Sequence, residues 1–151
     1  MLFGITDSKN ISIYSVEEDK PIFTLQNYTE DYKLSDLLDI SFSENGYNFI
    51  SFTDTDIKLW DLRKQSCVES YDKSKLDLES YYINKAVFDY SGSLICICGD
   101  NILKTIHPKT GFISENINSY DDINEYIDYK IISKTEAIIV DKYGRFYSEV
   151  I

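Results

Sequence analysis

The 151-residue chain has little of what interrupts, cross-links or anchors a fold. Only two prolines and six glycines occur, which argues against a disordered chain or a proline-rich linker. No apolar run approaches the roughly 18 residues of a membrane span, and Met1 to Gly4 lack the charged start and long apolar core of a signal peptide. One globular domain is therefore the expected organisation.

Cysteine and histidine are also scarce. The three cysteines are Cys67, Cys96 and Cys98; the last two lie on one face of one predicted strand, too constrained to pair, and no CxxC spacing occurs. We therefore expect reduced, buried thiols in an intracellular protein, with no metal or cofactor. His107, which precedes Pro108 in a predicted turn, is interpreted as an exposed loop residue. No nucleophile–base pair and no glycine-rich phosphate loop marks a catalytic site.

Basic residues are much fewer than acidic ones. The chain has 26 acidic against 15 basic residues and a formal net charge of −11. An acidic chain repels a phosphate backbone, so direct nucleic-acid binding through a broad basic surface is disfavoured. Protein partners that carry basic segments fit this charge better.

Apolar and aromatic residues, by contrast, are abundant, and in the middle of the chain they alternate with polar ones. Period-two alternation, broken by turn residues every six to eight positions, predicts an antiparallel meander. The predicted strands are Leu37 to Phe42, Tyr47 to Thr53 and Ile57 to Leu62. The third carries the only tryptophan, in the dipeptide Trp60-Asp61. Three such strands ending in a WD dipeptide are typical of one β-propeller blade.

A degenerate internal repeat supports this interpretation. A shift of about 46 positions aligns Phe42 with Phe88, Gly46 with Gly92, Asp54 with Asp100 and Trp60 with Ile106, and propeller repeats have periods of roughly 40–45 residues. A shorter copy has Asp141 and Tyr147 at the same spacing as Asp54 and Trp60. From these alignments we assign structural roles to Trp60, Asp61, Asp54, Asp100, Gly46 and Gly92.

The predicted fold is all-β: an incomplete WD-repeat propeller with two full blades flanked by two three-stranded partial blades. The blades are expected at approximately residues 1–26, 36–71, 83–116 and 126–151. Because propellers close into rings of roughly 4–8 blades, we expect the chain to be part of a ring. Its first blade would lack the inner strand and its last blade the outer strand. The isolated chain is therefore expected to self-associate.

Loops that follow the second and fourth strands of each blade should share one rim, and this rim concentrates acidic residues. Some of these acids must serve turns or be ordinary solvated loop charges. The same concentration also fits a surface that binds basic segments of protein partners. The candidate partner-binding residues on this rim are Glu30, Asp31, Asp72, Asp77, Asp121 and Asp122.

Two segments of the central repeat carry a family resemblance: SFSENGY (Ser41 to Tyr47) and IKLWDLRK (Ile57 to Lys64). At this spacing they resemble a blade near the end of the WD-repeat domain in the pre-mRNA-processing factor 19 family. Members of this family are spliceosomal U-box ubiquitin ligases. The resemblance extends weakly over nearly all of the chain, but only residues 41–64 are highly specific. The glycine–histidine pair that usually precedes such a blade is absent, and the turn after Thr53 is one residue short.

The resemblance implies a nuclear module that docks splicing-complex components and ubiquitination substrates. The family's U-box and coiled coil, which carry the ligase machinery, are not in this chain, so we expect it to be no enzyme by itself. Two alternatives stay open. One is a generic WD-repeat scaffold of another intracellular complex, and the other is a propeller hydrolase.

Overall fold

A computed structural model describes residues 1–6, 10–26, 37–53, 55–79, 81–100, 102–114, 126–131, 133 and 136–150. Within these residues the chain forms fourteen strands and no helix. The described part accordingly contains no helix that could span a membrane. The strands are β1 Leu2–Thr6, β2 Asn10–Ser15, β3 Phe23–Gln26, β4 Leu37–Phe42, β5 Asn48–Thr53, β6 Asp56–Asp61, β7 Ser66–Asp72, β8 Ile83–Phe88, β9 Ile95–Gly99, β10 Ile102–His107, β11 Phe112–Ile113, β12 Tyr126–Ile131, β13 Glu136–Asp141 and β14 Phe146–Val150.

The strands form four separate antiparallel meanders, in which each strand pairs with its neighbour in sequence. The first sheet has the order β1-β2-β3, and the second has the order β4-β5-β6-β7. The third sheet contains β8 to β11, and the fourth has the order β12-β13-β14. Two four-stranded sheets thus stand between two three-stranded ones, as the sequence predicts.

Strand alternation explains how neighbouring sheets pack. In β5, Phe49 contributes to a core shared with the first sheet, whereas Ile50 and Phe52 contribute to a core shared with the third. In β9, Ile97 faces the second sheet and Cys98 faces the fourth. Successive side chains of a strand point to opposite faces, so an inner sheet needs apolar residues on both. This is why β5 and β9 are buried almost throughout.

Each of the three junctions between successive sheets therefore has its own hydrophobic core. The core between the first and second sheets consists of Ile11, Ile13, Phe23, Phe49 and Trp60. The core between the second and third sheets is larger and includes Ile50, Phe52, Ile57, Tyr71, Leu76, Leu78, Ile83, Ala86, Ile95, Ile97, Ile102 and Ile106. The core between the third and fourth sheets contains Cys96, Cys98, Leu103, Tyr126, Tyr129, Ala137 and Ile139.

The cysteines and the histidine differ in part from expectation. Cys96 and Cys98 are buried free thiols, and burial raises the pKa of Cys98 to about 12. Cys67 is a free thiol too, but it is exposed, because it lies on β7, the outer strand of its sheet. His107 ends β10 opposite Phe112 and is half-buried rather than exposed. Its Nδ1 is buried and has no hydrogen-bond partner within the described residues.

Trp60 lies between the first and second sheets with only 5% of its surface exposed. Its ring stacks on Phe49 with the centroids 5.9 Å apart, and its Nε1 donates a hydrogen bond of 2.9 Å to Oγ of Ser51. Ser51 is fully buried. The tryptophan thus supplies a large apolar surface, and its one polar group is satisfied inside the core.

We predict that Trp60→Ala lowers the free energy of unfolding by about 3–5 kcal/mol, because it removes a core aromatic and leaves a cavity. Ser51→Ala should cost about 1–3 kcal/mol, since it leaves the buried indole N–H without a partner. Phe112→Ala is the matched control, because this aromatic is 63% exposed on a strand. Urea unfolding at one protein concentration measures all three. A midpoint for Trp60→Ala that equals the control's would contradict this packing.

Candidate partner-binding rims

Connections after β5, β7 and β9 come together at one rim of the molecule, which we call the acidic rim. The backbone N–H of Lys73, just after β7, donates to the carbonyl of Thr55 in the β5–β6 turn at 3.1 Å. Farther along the same connection, the carbonyl of Tyr82 accepts from the N–H of Asp100 in the β9–β10 turn at 3.3 Å. These bonds join the turns of two neighbouring sheets through the β7–β8 connection. Loops from different blades therefore form one continuous surface.

Asp72 on the acidic rim holds a turn. Its Oδ1 accepts hydrogen bonds of 2.8 Å from the backbone N–H of Lys75 and from the hydroxyl of Ser74. These two hydrogen bonds keep the pKa of Asp72 below its usual value, and the bond from the Lys75 backbone has the larger effect. A carboxylate bound in this way caps the start of a turn and has less capacity for a partner.

Asp77 and Glu79, in the β7–β8 connection, are both exposed. Asp77 has a φ of +54°, a left-handed conformation that aspartate and asparagine tolerate better than most residues. Neither carboxylate forms an ion pair with another described residue. They are the acids of this connection that remain available to a partner. The candidates Glu30, Asp31, Asp121 and Asp122 lie outside the described residues, as does Asp54.

Asp100 belongs to a contact between the third and fourth sheets that the sequence analysis did not identify. Asn84, the second residue of β8, donates from its Nδ2 to Oδ1 of Asp100 at 3.3 Å and to the carbonyl of Tyr126 on β12 at 3.0 Å. One amide group thus connects a turn of its own sheet with the first strand of the next. The asparagine next to Lys85 in the strand segment INKAVF was the available signal.

Asp141, which ends β13, is fully buried and takes no direct part in the rim surface. It accepts hydrogen bonds of 2.9 Å from the backbone N–H groups of Tyr143 and Arg145 and one of 3.0 Å from the hydroxyl of Tyr147. The Arg145 side chain is ion-paired with it. Burial alone would raise the pKa of Asp141, but the hydrogen bonds from Arg145 and Tyr147 outweigh it and the pKa is lowered.

Asp61 of the WD dipeptide makes a similar cluster on the opposite rim, which contains the β4–β5, β6–β7, β8–β9 and β10–β11 turns. It is buried, and both of its oxygens bind the Arg63 guanidinium: Oδ1 accepts from Nε at 3.2 Å and Oδ2 from Nη2 at 2.9 Å. Oδ1 also accepts the backbone N–H groups of Arg63 and Lys64. The side-chain hydrogen bonds from Arg63 hold the pKa of Asp61 at about 2.

The two turn glycines lie on the same opposite rim, and both have positive φ, +74° for Gly46 and +67° for Gly92. Gly92 has a second reason to be glycine. A Cβ at this position would lie 2.1 Å from the Oγ of Ser43, which belongs to the β4–β5 turn of the neighbouring sheet. Ser43 also donates to the carbonyl of Gly92 at 3.4 Å. The repeated turns of adjacent sheets therefore touch each other directly.

Comparison with known proteins identifies the class of fold to which this architecture belongs. No family model matches the chain. Its fold is similar to the C-terminal WD40 domain of Sif2, with a TM-score of 0.70 over 95% of this chain and 40% of that one, at 10% identity. The chain forms part of a WD-repeat propeller. This confirms the fold class predicted from the repeats.

A curated relative gives a more specific similarity. The chain is 37% identical over 62 residues to pre-mRNA-processing factor 19 of Dictyostelium discoideum. The matched segment is 41% of this chain and 12% of the length of that relative. The similarity indicated by the motifs is thereby confirmed, and the WD-repeat chain spans about an eighth of the relative.

We predict that Asp61 contributes to acid resistance. Its pKa in the folded protein, about 2, lies below the ordinary value of 3.8, so its contribution to stability is complete above pH ~4 and is lost as the pH falls toward 2. Asp61→Asn should lower the free energy of unfolding at neutral pH and reduce its dependence on pH between 4 and 2.

A double-mutant cycle with Arg63→Gln isolates the pair, because Arg63 is the main cause of the shift. Arg63→Gln alone should also reduce the pH dependence of the free energy of unfolding between pH 4 and 2. Adding it to Asp61→Asn should reduce that dependence little further. Equilibrium unfolding at a series of pH values measures this. An Asp61→Asn variant that loses stability in acid as steeply as the natural sequence would refute the assignment.

Proposed function

We propose that the chain is a non-enzymatic protein-docking module, part of the propeller of a nuclear ubiquitin ligase that acts in pre-mRNA splicing. The observation that carries this proposal is the 62-residue similarity to pre-mRNA-processing factor 19, combined with the WD40-type fold. The name of that relative supplies the connection to pre-mRNA processing. The ligase activity and the nuclear location follow from the family resemblance of residues 41–64.

The acidic rim is the proposed docking surface for basic segments of splicing-complex components and ubiquitination substrates. Rigid sheets that position loops at one rim are a common arrangement for binding, because the loops vary while the scaffold holds them. A net charge of −11 attracts basic segments and raises their association rate. Exposed Asp77 and Glu79 are the described residues that contribute most directly to this surface.

A generic scaffold of another intracellular complex is the second candidate. The observation in its favour is the structural similarity to the WD40 domain of Sif2 at only 10% identity, which shows that unrelated-looking sequences adopt this fold. The two candidates predict different partners. Identification of the partners therefore decides between them.

We predict that proximity labelling with the tagged chain, in cells of its source organism, enriches splicing factors over a labelled propeller of equal size. The variant Asp77→Asn with Glu79→Gln should reduce this enrichment several-fold, because it removes two charges from the acidic rim. Asparagine tolerates the left-handed backbone at position 77, so the fold should be retained.

The control variant is Glu17→Gln with Glu18→Gln, which removes the same charge from exposed positions in the β2–β3 turn, outside the acidic rim. It should leave the enrichment unchanged. Enrichment of components of another complex would favour the generic scaffold. Equal losses in the two variants would show that overall charge, rather than the acidic rim, attracts the partners.

A further inference from the structure

A groove of about 500 Å³ lies between the second and third sheets, on the rim opposite the acidic rim. Its apolar lining comes from partly buried Leu59 and Phe88 and from the more exposed Tyr47 and Val68. Pro108 continues this lining on the β10–β11 turn. The β4–β5 and β8–β9 turns, which touch through Ser43 and Gly92, close one end of it. An extended peptide with one or two apolar side chains would fit a groove of this size and lining.

Arg63 is held in position at the wall of this groove. Its guanidinium lies 3.8 Å from the centre of the Tyr47 ring, and Asp61 binds it through two oxygens. Its side chain nevertheless remains 63% exposed. An arginine whose orientation is already set loses little entropy when it binds a carboxylate, and arginine and tyrosine are enriched among the residues that dominate binding energy.

Two lysines border the groove, although the chain as a whole is acidic. Exposed Lys64 is adjacent to Arg63, and exposed Lys109 lines the opposite side of the groove. Neither lysine forms an ion pair with the described residues. The two acids that line the groove are ion-paired, Asp61 with Arg63 at 2.9 Å and Glu69 with Lys75 at 2.7 Å. The positive charge open to a partner therefore comes from Lys64 and Lys109. Lys64 and Glu44 both flank the groove without lining it, and Glu44 lies in the β4–β5 turn.

We infer that this groove docks an extended acidic segment of a protein partner, in which aspartates or glutamates flank an apolar side chain. The carboxylates would pair with Lys64 and Lys109, and the apolar side chain would pack against Val68 and Phe88. The inference rests on the proposed docking function and adds a second, opposite specificity. The acidic rim takes basic segments, and the groove takes acidic ones. Such charge complementarity selects partners by repulsion as well as by attraction.

An array of twelve-residue peptides tests the inference on the full 151-residue chain. One set carries three or four glutamates around a single leucine or phenylalanine, and the matched set has lysine in place of each glutamate. Members of the glutamate set should bind in fluorescence anisotropy, and their affinity should fall at least tenfold in the variant Lys64→Glu with Lys109→Glu. Higher salt should weaken this binding.

The control variant is Lys20→Glu with Lys130→Glu, which makes the same change in net charge at exposed positions in the β2–β3 turn and on β12, outside the two sheets that form the groove. It should change the affinity less than twofold, and melting curves should show both variants folded. Two outcomes would overturn the inference: no glutamate peptide binds, or the two variants lose affinity equally. If no glutamate peptide binds but splicing partners are recovered with the natural sequence, the groove inference fails while the proposed function stands. If glutamate peptides bind the groove but no splicing partner is found, the proposed function fails while the groove inference stands.

Discussion

The structure depends on face-to-face packing between consecutive sheets, and each inner sheet takes part in two such contacts. Every second residue of β5 and β9 faces one neighbour, and the residues between them face the other. A polar residue is therefore tolerated in these strands only where a specific partner satisfies it, as the indole N–H of Trp60 satisfies the Ser51 hydroxyl. The requirement for two apolar faces explains the apolar composition of the inner strands.

Polar contacts between sheets set their alignment and connect the packing with the rims. Lys85 on β8 pairs with Asp39 on β4 at 2.7 Å, and Asn84 joins the third sheet to the fourth. Ser43 and Gly92 bring the turns of adjacent sheets into contact. These contacts hold the rim loops in place, so both the acidic rim and the groove derive their shape from the junctions between blades.

The local sequence pattern was enough to predict the architecture. It was not enough to predict the site, which depends on contacts between segments that are distant in the sequence. Alternation and turn glycines are properties of a few adjacent residues, and they sufficed for the meanders around Gly46 and Gly92. The placement of Arg63 on Tyr47 and the double contact of Asn84 depend on how segments meet in space, which no local pattern encodes. The acids of the acidic rim show that sequence pattern has the same limit there. Asp72 and Asp77 look alike in sequence, but only the backbone geometry reveals that the first is occupied by a turn.

The described strands form an open arc of a propeller, in which one face of the first sheet and one face of the fourth are uncovered. On the first sheet Phe3 and Ile5 are 40% and 53% exposed, and on the fourth Ile127 and Ile138 are 45% and 36% exposed. Burying such faces contributes about 25 cal/mol per Å², which favours association. Light scattering of the isolated chain, from micromolar to millimolar concentration, tests this directly. We predict a mass that rises with concentration, to a dimer that completes a ring or to larger aggregates. A well-folded monomer with a cooperative melt over the whole range would contradict it.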